Sequence, residues 1–218
     1  MPHNSVASHV PASSSQPPQI PAAVLVGAAT FALLLANGNA LLNDPDTQWH
    51  VAVGQWIWGM QAVPRIDVFS HTFAGEPWIA KEWLAQLILY AVQFSGGWLG
   101  VACLAALALA GTVALVCGWM LRTTSPTVAF GAAAVLVIVA APHTLARPHL
   151  LALPILAGWM IGLIEAVRRE IPPSCWFAAL IALWANLHAS YPLGLLAAGL
   201  LGAEAVMRAP SSARDRGL

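Results

Sequence analysis

Six apolar stretches, separated by polar segments of unequal length, make up most of this chain. A membrane-spanning helix needs about 20 apolar residues, within a range of roughly 17 to 25. By that measure the candidate spans are 20–42, 97–121, 127–142, 149–167, 174–190 and 191–207. The pattern predicts an all-α fold, a polytopic transmembrane helical bundle. A shorter apolar segment, 83–95, ends at a Gly-Gly pair and fits an interfacial or re-entrant helix, or a short span.

The longest polar segment covers residues 43–82 and holds five of the nine acidic residues. Asp44 followed by Pro45 is typical of a helix N-cap and the first helical position. Apolar side chains then recur at helical spacing, namely Trp49, Val53, Trp56 and Met60. The pattern stops at 63–64, and a Gly-Glu-Pro turn precedes a second helix that begins near Lys81 or Glu82. We therefore expect a large external first loop that contains interfacial helices, with tryptophans at headgroup depth.

Composition supports a membrane protein. Hydrophobic residues make up 59% of the chain and charged residues 8%, whereas an ordinary soluble domain has about 25% charged residues. The net charge is zero, which gives no indication of nucleic-acid binding. The three cysteines stand singly in apolar runs and predict neither a disulfide framework nor a metal site: Cys103, Cys117 and Cys175. Motifs for nucleotide binding, serine hydrolysis or zinc proteolysis are absent from the sequence.

The distribution of arginine predicts the topology and the domain limits. Six arginines would be cytoplasmic by the positive-inside rule, namely Arg122, Arg168, Arg169, Arg208, Arg214 and Arg216. They all fall inside if the amino terminus is cytoplasmic and 83–95 does not cross. The external loop, about 43–96, then shares the outer face with the two polar turns near 143–149 and 186–190. We expect a disordered tail at 1–19, a transmembrane domain at 20–207 and a polar cytoplasmic tail at 208–218; if 83–95 crosses, the later turns change sides.

Two acidic features of the first loop are candidates for chemistry. Asp44, Asp46 and His50 lie within two helical turns, so the two carboxylates and the imidazole could hold a divalent cation or act as a base. Alternatively, Asp44 caps the helix and Asp46 complements the helix dipole. Glu82 closes the same loop at the start of the next helix, where a carboxylate is also electrostatically favourable without any function.

Two later polar turns are candidates for binding. Arg147, flanked by His143 and His149, suits a phosphate because a guanidinium donates two parallel hydrogen bonds. The alternative is a charge that snorkels at a helix end. Asn186 and His188 alternate with apolar residues near a helix terminus, together with the hydroxyl of residue 190. Polar groups at that depth are often functional, although they also join helices by hydrogen bonds.

Three segments carry a resemblance to a known family. They read DPDTQWHVAVGQWI, PRIDVFSHTFAGEPWIAKEWLAQLILY and WANLHASYPLG. With the uncharged first span before them, they resemble the amino-terminal part of type-C glycosyltransferases, which are similar to the protein O-mannosyltransferases and the lipid A aminoarabinose transferases. More closely, they resemble uncharacterised bacterial membrane proteins of that architecture. The resemblance covers about residues 20–207.

The resemblance implies a function and a place for it. A polyprenyl-phosphate-linked sugar would be the donor, used on the outer face of the cell (inner) membrane by a multi-pass protein. Asp44, Asp46 and Glu82 would be the catalytic carboxylates, and the first two could bind a divalent cation such as Mg or Mn. The substrate-binding residues would be His50, Arg147, His149, Asn186 and His188. The partners are then the bilayer and the lipid-linked sugar, with no nucleic acid.

Other functions fit the same sequence. Family members have more spans than this chain, so a partner subunit could supply further helices. A non-catalytic membrane subunit, or a truncated and inactive half of a transferase, is therefore an alternative. A small transporter fits less well, because transporters place ionisable residues near the bilayer midplane and most acids here lie in the loop.

Overall fold

The computed structural model describes residues 19–208, which are almost entirely helical. The α-helices are α1 (Gln19–Ala36), α2 (Gly38–Leu41), α3 (Pro45–Met60), α4 (Trp83–Thr123), α5 (Pro126–Ala140), α6 (Pro148–Arg169), α7 (Trp176–Leu187) and α8 (Tyr191–Arg208). A turn of 3₁₀ helix, Ala141–His143, follows α5. The all-α prediction is confirmed for this part of the chain. The predicted tails, 1–19 and 208–218, lie outside it except for their innermost residues.

Helix α4 bends back on itself at Gly97. A straight helix of 41 residues would be about 60 Å long, but Gly97 has a φ of 61° and a ψ of −161°, a conformation open to glycine and costly for other residues. A Cβ on Gly100 would lie 3.1 Å from the Val92 carbonyl oxygen, whereas residues eight apart in a straight helix are separated by about 12 Å. Segment 83–96 is therefore a separate helix of about 20 Å, shorter than the roughly 30 Å hydrocarbon core.

The second part of α4 is the centre of the bundle. It packs against α1, where a Cβ on Gly27 would lie 3.2 Å from the Ala110 carbonyl oxygen and one on Gly118 would lie 3.3 Å from the Ala23 Cβ. These contacts make the two helices antiparallel. The buried residues of this core are small or aliphatic: Ala23, Leu34, Leu41, Ala102, Ala106, Leu109, Val113, Cys117, Leu121, Ala129 and Ala133. Close packing of small side chains is how helices associate in a lipid environment, where apolar burial gives little driving force.

Charged residues collect at the two ends of this bundle. At the end where α4 and α6 finish, the Trp119 indole donates to Glu165, which also pairs with Arg168 and Arg169. At the other end, where α6 begins, lies Arg147. The 22 residues of α6 separate the two ends by about 33 Å. The polar turns predicted to share one face therefore lie at one end together with Arg147, and the arginines in the last turns of α4 and α6 lie at the other.

Three helices are long and apolar enough to cross a membrane: Trp83–Thr123, Pro126–His143 and Pro148–Arg169. Two shorter apolar helices cover Pro21–Ala36 and Trp176–Leu187. Each candidate span is thus helical, although 20–42 is divided between α1 and α2. Within residues 19–208, three helices meet a length and hydropathy criterion. The break between the last two helices falls at 188–190, a little earlier than the expected Tyr191-Pro192. His188 and Ser190 cause the early break because their side chains and backbone bond to each other there.

The first loop contains α3 and a compact turn. Pro45 begins α3 and Asp44 caps it, as predicted, and the next helix begins at Trp83 within two residues of the expected start. Between them, Ile66 and Pro77 form an antiparallel bridge. The expected apolar stripe is only partly the face that α3 buries: Val53 is buried and Trp56 half-buried, but Trp49 and Met60 are exposed. The buried residues of the helix are Thr47, His50, Val51, Val53, Gly54 and Ile57.

Phe69 fixes the turn to α3. Its ring lies 5.0 Å from that of Trp49, 6.1 Å from that of Trp56 and 5.6 Å from that of Trp78. Asp67 stabilises the same turn by accepting hydrogen bonds from two backbone N–H groups and from the Ser70 hydroxyl. The tryptophans of α3 therefore hold the loop in place, which explains why they lie on the outward face of the helix.

Candidate functional site

An open cavity of about 570 Å³ lies at the end of the bundle where α3 and α6 begin. Its lining residues are Asp46, Trp49, His50, Glu82, His143, Arg147, Pro148, His149 and His188. They come from four places in the sequence: the start of α3, the start of α4, the turn before α6 and the turn after α7. Ordinary ligand sites have volumes of about 300–1,000 Å³, so the cavity is large enough for a sugar or a phosphate headgroup.

Arg147 connects the first loop to α6 through both aspartates. Its Nε donates to Asp44 and its Nη2 lies 3.1 Å from an oxygen of Asp46. Asp44 also accepts from the backbone N–H of Asp46 at 3.0 Å, which is the N-cap bond of α3. The guanidinium hydrogen bond holds the pKa of the Asp44 carboxyl below its ordinary value, in spite of its burial. Asp44 is therefore a buried anchor, while Asp46 and Arg147 face the cavity.

His50 reaches the cavity from the buried face of α3. Its Nδ1 lies 3.3 Å from the Gln86 amide nitrogen, and Gln86 is itself buried. Burial lowers the pKa of His50, with nearby Glu82 and Asp46 opposing the effect. The imidazole is consequently neutral near pH 7, and it lines the cavity. Two buried oxygens beside it, Thr47 Oγ1 and Gln86 Oε1, have no partner among the described residues.

Glu82 meets His188 across the cavity. A carboxylate oxygen of Glu82 lies 3.6 Å from His188 Nε2, which is an electrostatic contact longer than a hydrogen bond. The neighbouring residues form a second contact, in which the Trp83 indole donates to the Asn186 side chain at 2.6 Å. These two contacts join the start of α4 to the end of α7. Asn186 thus orients Trp83 and does not line the cavity.

His143 and His149, on either side of Arg147, contact each other across the turn before α6. His149 Nε2 lies 2.9 Å from the His143 carbonyl oxygen, which closes the turn between α5 and α6. The His149 ring also lies 6.1 Å from that of His188. Both His143 and His149 line the cavity, so the turn contributes an arginine and two imidazoles.

The charged groups of the cavity are paired unequally. Within residues 19–208, no group of three or more His, Cys, Asp or Glu side chains is arranged to hold a metal ion. Asp44 and Asp46 share one guanidinium, and the divalent cation at these two carboxylates stays a prediction. Among the described residues, Glu82 pairs with the His188 imidazole and with no cation, and its side chain lines the cavity. Arg147 uses Nε and Nη2 for the aspartates, which leaves Nη1 for an anion.

The structure brings most of the predicted site residues together. Asp46, His50, Glu82, Arg147, His149 and His188 line the cavity, Asp44 lies beneath it and Asn186 beside it. Sequence reasoning missed Trp83, which is hydrogen-bonded to Asn186, and Gln86, which contacts His50. A signal for Gln86 was present: it stands one helical turn after Glu82, on the same face of the helix. Trp83 had no comparable signal, because tryptophan is common at membrane interfaces.

Comparisons with known proteins return no match for this chain, whether against protein-family models, curated proteins or solved structures.

Proposed function

We propose that this protein transfers a sugar from a polyprenyl-phosphate donor to an acceptor hydroxyl at the outer face of the cell membrane. One observation carries the proposal: carboxylates, imidazoles and an arginine from distant segments share one open cavity at the end of an apolar helical bundle. A donor with a membrane-embedded tail has to present its phosphate at such a place. The arginines at the opposite end of the bundle would then be cytoplasmic.

The groups present can carry out the transfer. Glu82 accepts the proton of the acceptor hydroxyl, whose oxygen forms a bond to the anomeric carbon of the sugar. The bond from that carbon to the phosphate oxygen breaks, and its electron pair stays on the polyprenyl phosphate. Arg147 stabilises the added negative charge of this leaving group through its free amino group. Glu82 finishes protonated, so charge and atoms balance, and no step requires a metal ion.

A second candidate is a non-catalytic subunit that binds the lipid carrier. The observation that favours it is the state of the first-loop acids, because both are paired with Arg147 and Asp44 is buried. A protein of this kind would bind polyprenyl phosphate in the same cavity without turning it over. Binding and transfer must therefore be measured separately.

The binding test uses a photoreactive polyprenyl phosphate with the protein in lipid nanodiscs. We expect saturable labelling that polyprenyl phosphate competes and the phosphate-free polyprenol does not. Arg147→Lys keeps a cation for Asp44 but loses the forked geometry, so it should weaken labelling by about tenfold, the loss expected for one charge-assisted hydrogen bond. Arg122→Lys, at the other end of the bundle, is the matched control and should label like the wild type.

The transfer test uses the same preparation with a radiolabelled polyprenyl-phosphate sugar and a mixture of membrane acceptors. Glu82→Gln should abolish transfer while labelling by the probe persists. Labelling without transfer in the wild type would support the carrier-binding subunit. Equal competition by the phosphate-free polyprenol would show that the cavity does not recognise phosphate, and the proposal would be wrong.

A further inference from the structure

A chain of hydrogen bonds leads from α7 to the imidazole of His188. The Trp184 indole N–H lies 3.0 Å from the Ser190 hydroxyl oxygen, and that hydroxyl lies 2.8 Å from His188 Nδ1. An indole nitrogen can only donate, so the Ser190 oxygen accepts from Trp184. A hydroxyl oxygen has a second lone pair, so this bond alone leaves the direction of the Ser190–His188 bond open. The Ser190 backbone N–H settles it, because it donates to His188 Nδ1 at 3.3 Å and makes that nitrogen the acceptor. The Ser190 hydroxyl, which lies against the same lone pair, then also donates to Nδ1.

This direction fixes the tautomer of the imidazole. A neutral histidine has one ring N–H, and an accepting Nδ1 places it on Nε2. Nε2 is the nitrogen that faces Glu82 at 3.6 Å. The hydrogen-bond chain therefore directs an N–H dipole at the one cavity carboxylate that no cation neutralises among the described residues.

The imidazole is held neutral by its surroundings. Burial lowers the pKa of His188, and the negative charge of Glu82 opposes that effect. His149 on α6 and Lys81 before α4 lower the pKa further. The remaining titratable groups of the cavity are Asp46, His50, His143 and Arg147. The tautomer matters because a protonated ring would carry hydrogen on both nitrogens and could not accept from Ser190.

We propose that Glu82 and His188 form the proton-accepting pair of this site, with Glu82 as the base and His188 as its positioning residue, set by Ser190 and Trp184. This inference rests on the proposed transfer and adds the residues that control its proton. The hydrogen bond between Trp83 and Asn186 holds Glu82 and His188 close together, because it joins the start of α4 to the end of α7 next to this pair. Trp184 is buried and its ring lies against Gly194, so the donor end of the chain is rigid.

The first experiment measures the tautomer directly. Protein labelled with ¹⁵N-histidine is placed in nanodiscs, and the His188 ring signals are assigned by their loss in His188→Gln. We expect the Nε2–H form at neutral pH in the wild type. In Ser190→Ala the Nδ1–H form should become populated, and Ser190→Thr should restore the wild-type spectrum. Ser125→Ala is the matched control, because Ser125 also precedes a helix but makes no capping hydrogen bond.

The second experiment measures transfer as a function of pH for the same variants. Ser190→Ala should lower the rate by about tenfold at neutral pH, the value of one hydrogen bond, and should displace the pH profile, while Ser190→Thr recovers both. An Nδ1–H tautomer in the wild type, or a Ser190→Ala spectrum equal to the wild type, overturns the inference. If no transfer occurs in any variant, the proposed function fails, and the tautomer alone then decides whether the Trp184–Ser190 chain sets His188.

Discussion

The ion pair between Asp44 and Arg147 should contribute more to stability than the pair between Asp46 and Arg147, although both share one guanidinium. Asp44→Asn is the informative change at the first position. Asparagine caps a helix about as well as aspartate, so this variant keeps the bond to the Asp46 backbone N–H and removes only the charge. Combining it with Arg147→Gln gives a double-mutant cycle. The same cycle with Asp46→Asn is the matched control.

Burial sets the expected size of each coupling energy. The Asp44 side chain is 3% exposed and the Arg147 side chain 37%, so their hydrogen bond should lie at the lower end of the range for charged groups, about 1.5 kcal/mol. The Asp46 side chain is 54% exposed, and surface pairs of this kind contribute about 0–1 kcal/mol. We therefore expect the first coupling energy to exceed the second by about 1 kcal/mol.

Equilibrium unfolding in mixed detergent micelles gives the free energies for both cycles. Asp44→Ala should be about 1 kcal/mol less stable than Asp44→Asn, because alanine also removes the cap. If the Asp44–Arg147 changes are additive within about 0.5 kcal/mol, the pair is not a structural anchor. Equal coupling energies for the two aspartates would refute the argument from burial.

Three further predictions test the packing around the site. Gly54→Ala should lower the free energy of unfolding by about 1–3 kcal/mol, because its Cβ would overlap the neighbouring α4 backbone. Gly59→Ala on the same helix has open space and should raise the free energy of unfolding by up to about 1 kcal/mol. Equal effects of the two substitutions in thermal unfolding would contradict this. Phe69→Ala should expose the first loop to trypsin, and Phe73→Ala, which is exposed in the same loop, should not. Burial depresses the pKa of His50 from its ordinary 6.5, so the unfolded chain takes up the proton first and the free energy of unfolding should fall as the pH drops below that value. His50→Gln should flatten this pH dependence in unfolding measured between about pH 8 and 5. An unchanged slope would count against a neutral buried imidazole.

The helices of this protein were predictable because each has a local signal. Asp44-Pro45 marks the start of α3, and the Gly-Gly pair marks the bend in α4. The buried face of α3 was not predictable, because Trp49 and Trp56 pack on Phe69 from a turn that follows the helix. Apolar periodicity shows that a helix has an apolar face, but it does not show which neighbour covers that face.

The site was predictable in its residue types and not in its pairings. The positions of the arginines between the apolar spans predicted that the polar turns share one face, because the positive-inside rule uses the charges of the whole chain. The pairing of Arg147 with Asp44 joins residues 103 positions apart, and no local pattern indicates such a contact. The same holds for Glu82 and His188. In the sequence each turn stands alone, and each has a plausible structural explanation.

The pairings change which carboxylate is the better candidate for the base. A base must reach the proton of its substrate and must not already be occupied by a stronger partner. Asp44 fails on both grounds, because it is buried and bonded to Arg147 and to a backbone N–H. Asp46 reaches the cavity but shares the arginine. Glu82 faces a neutral imidazole whose N–H can stabilise its charge without removing its basicity, so transfer activity that survives Asp46→Asn and is lost in Glu82→Gln would assign the base to Glu82.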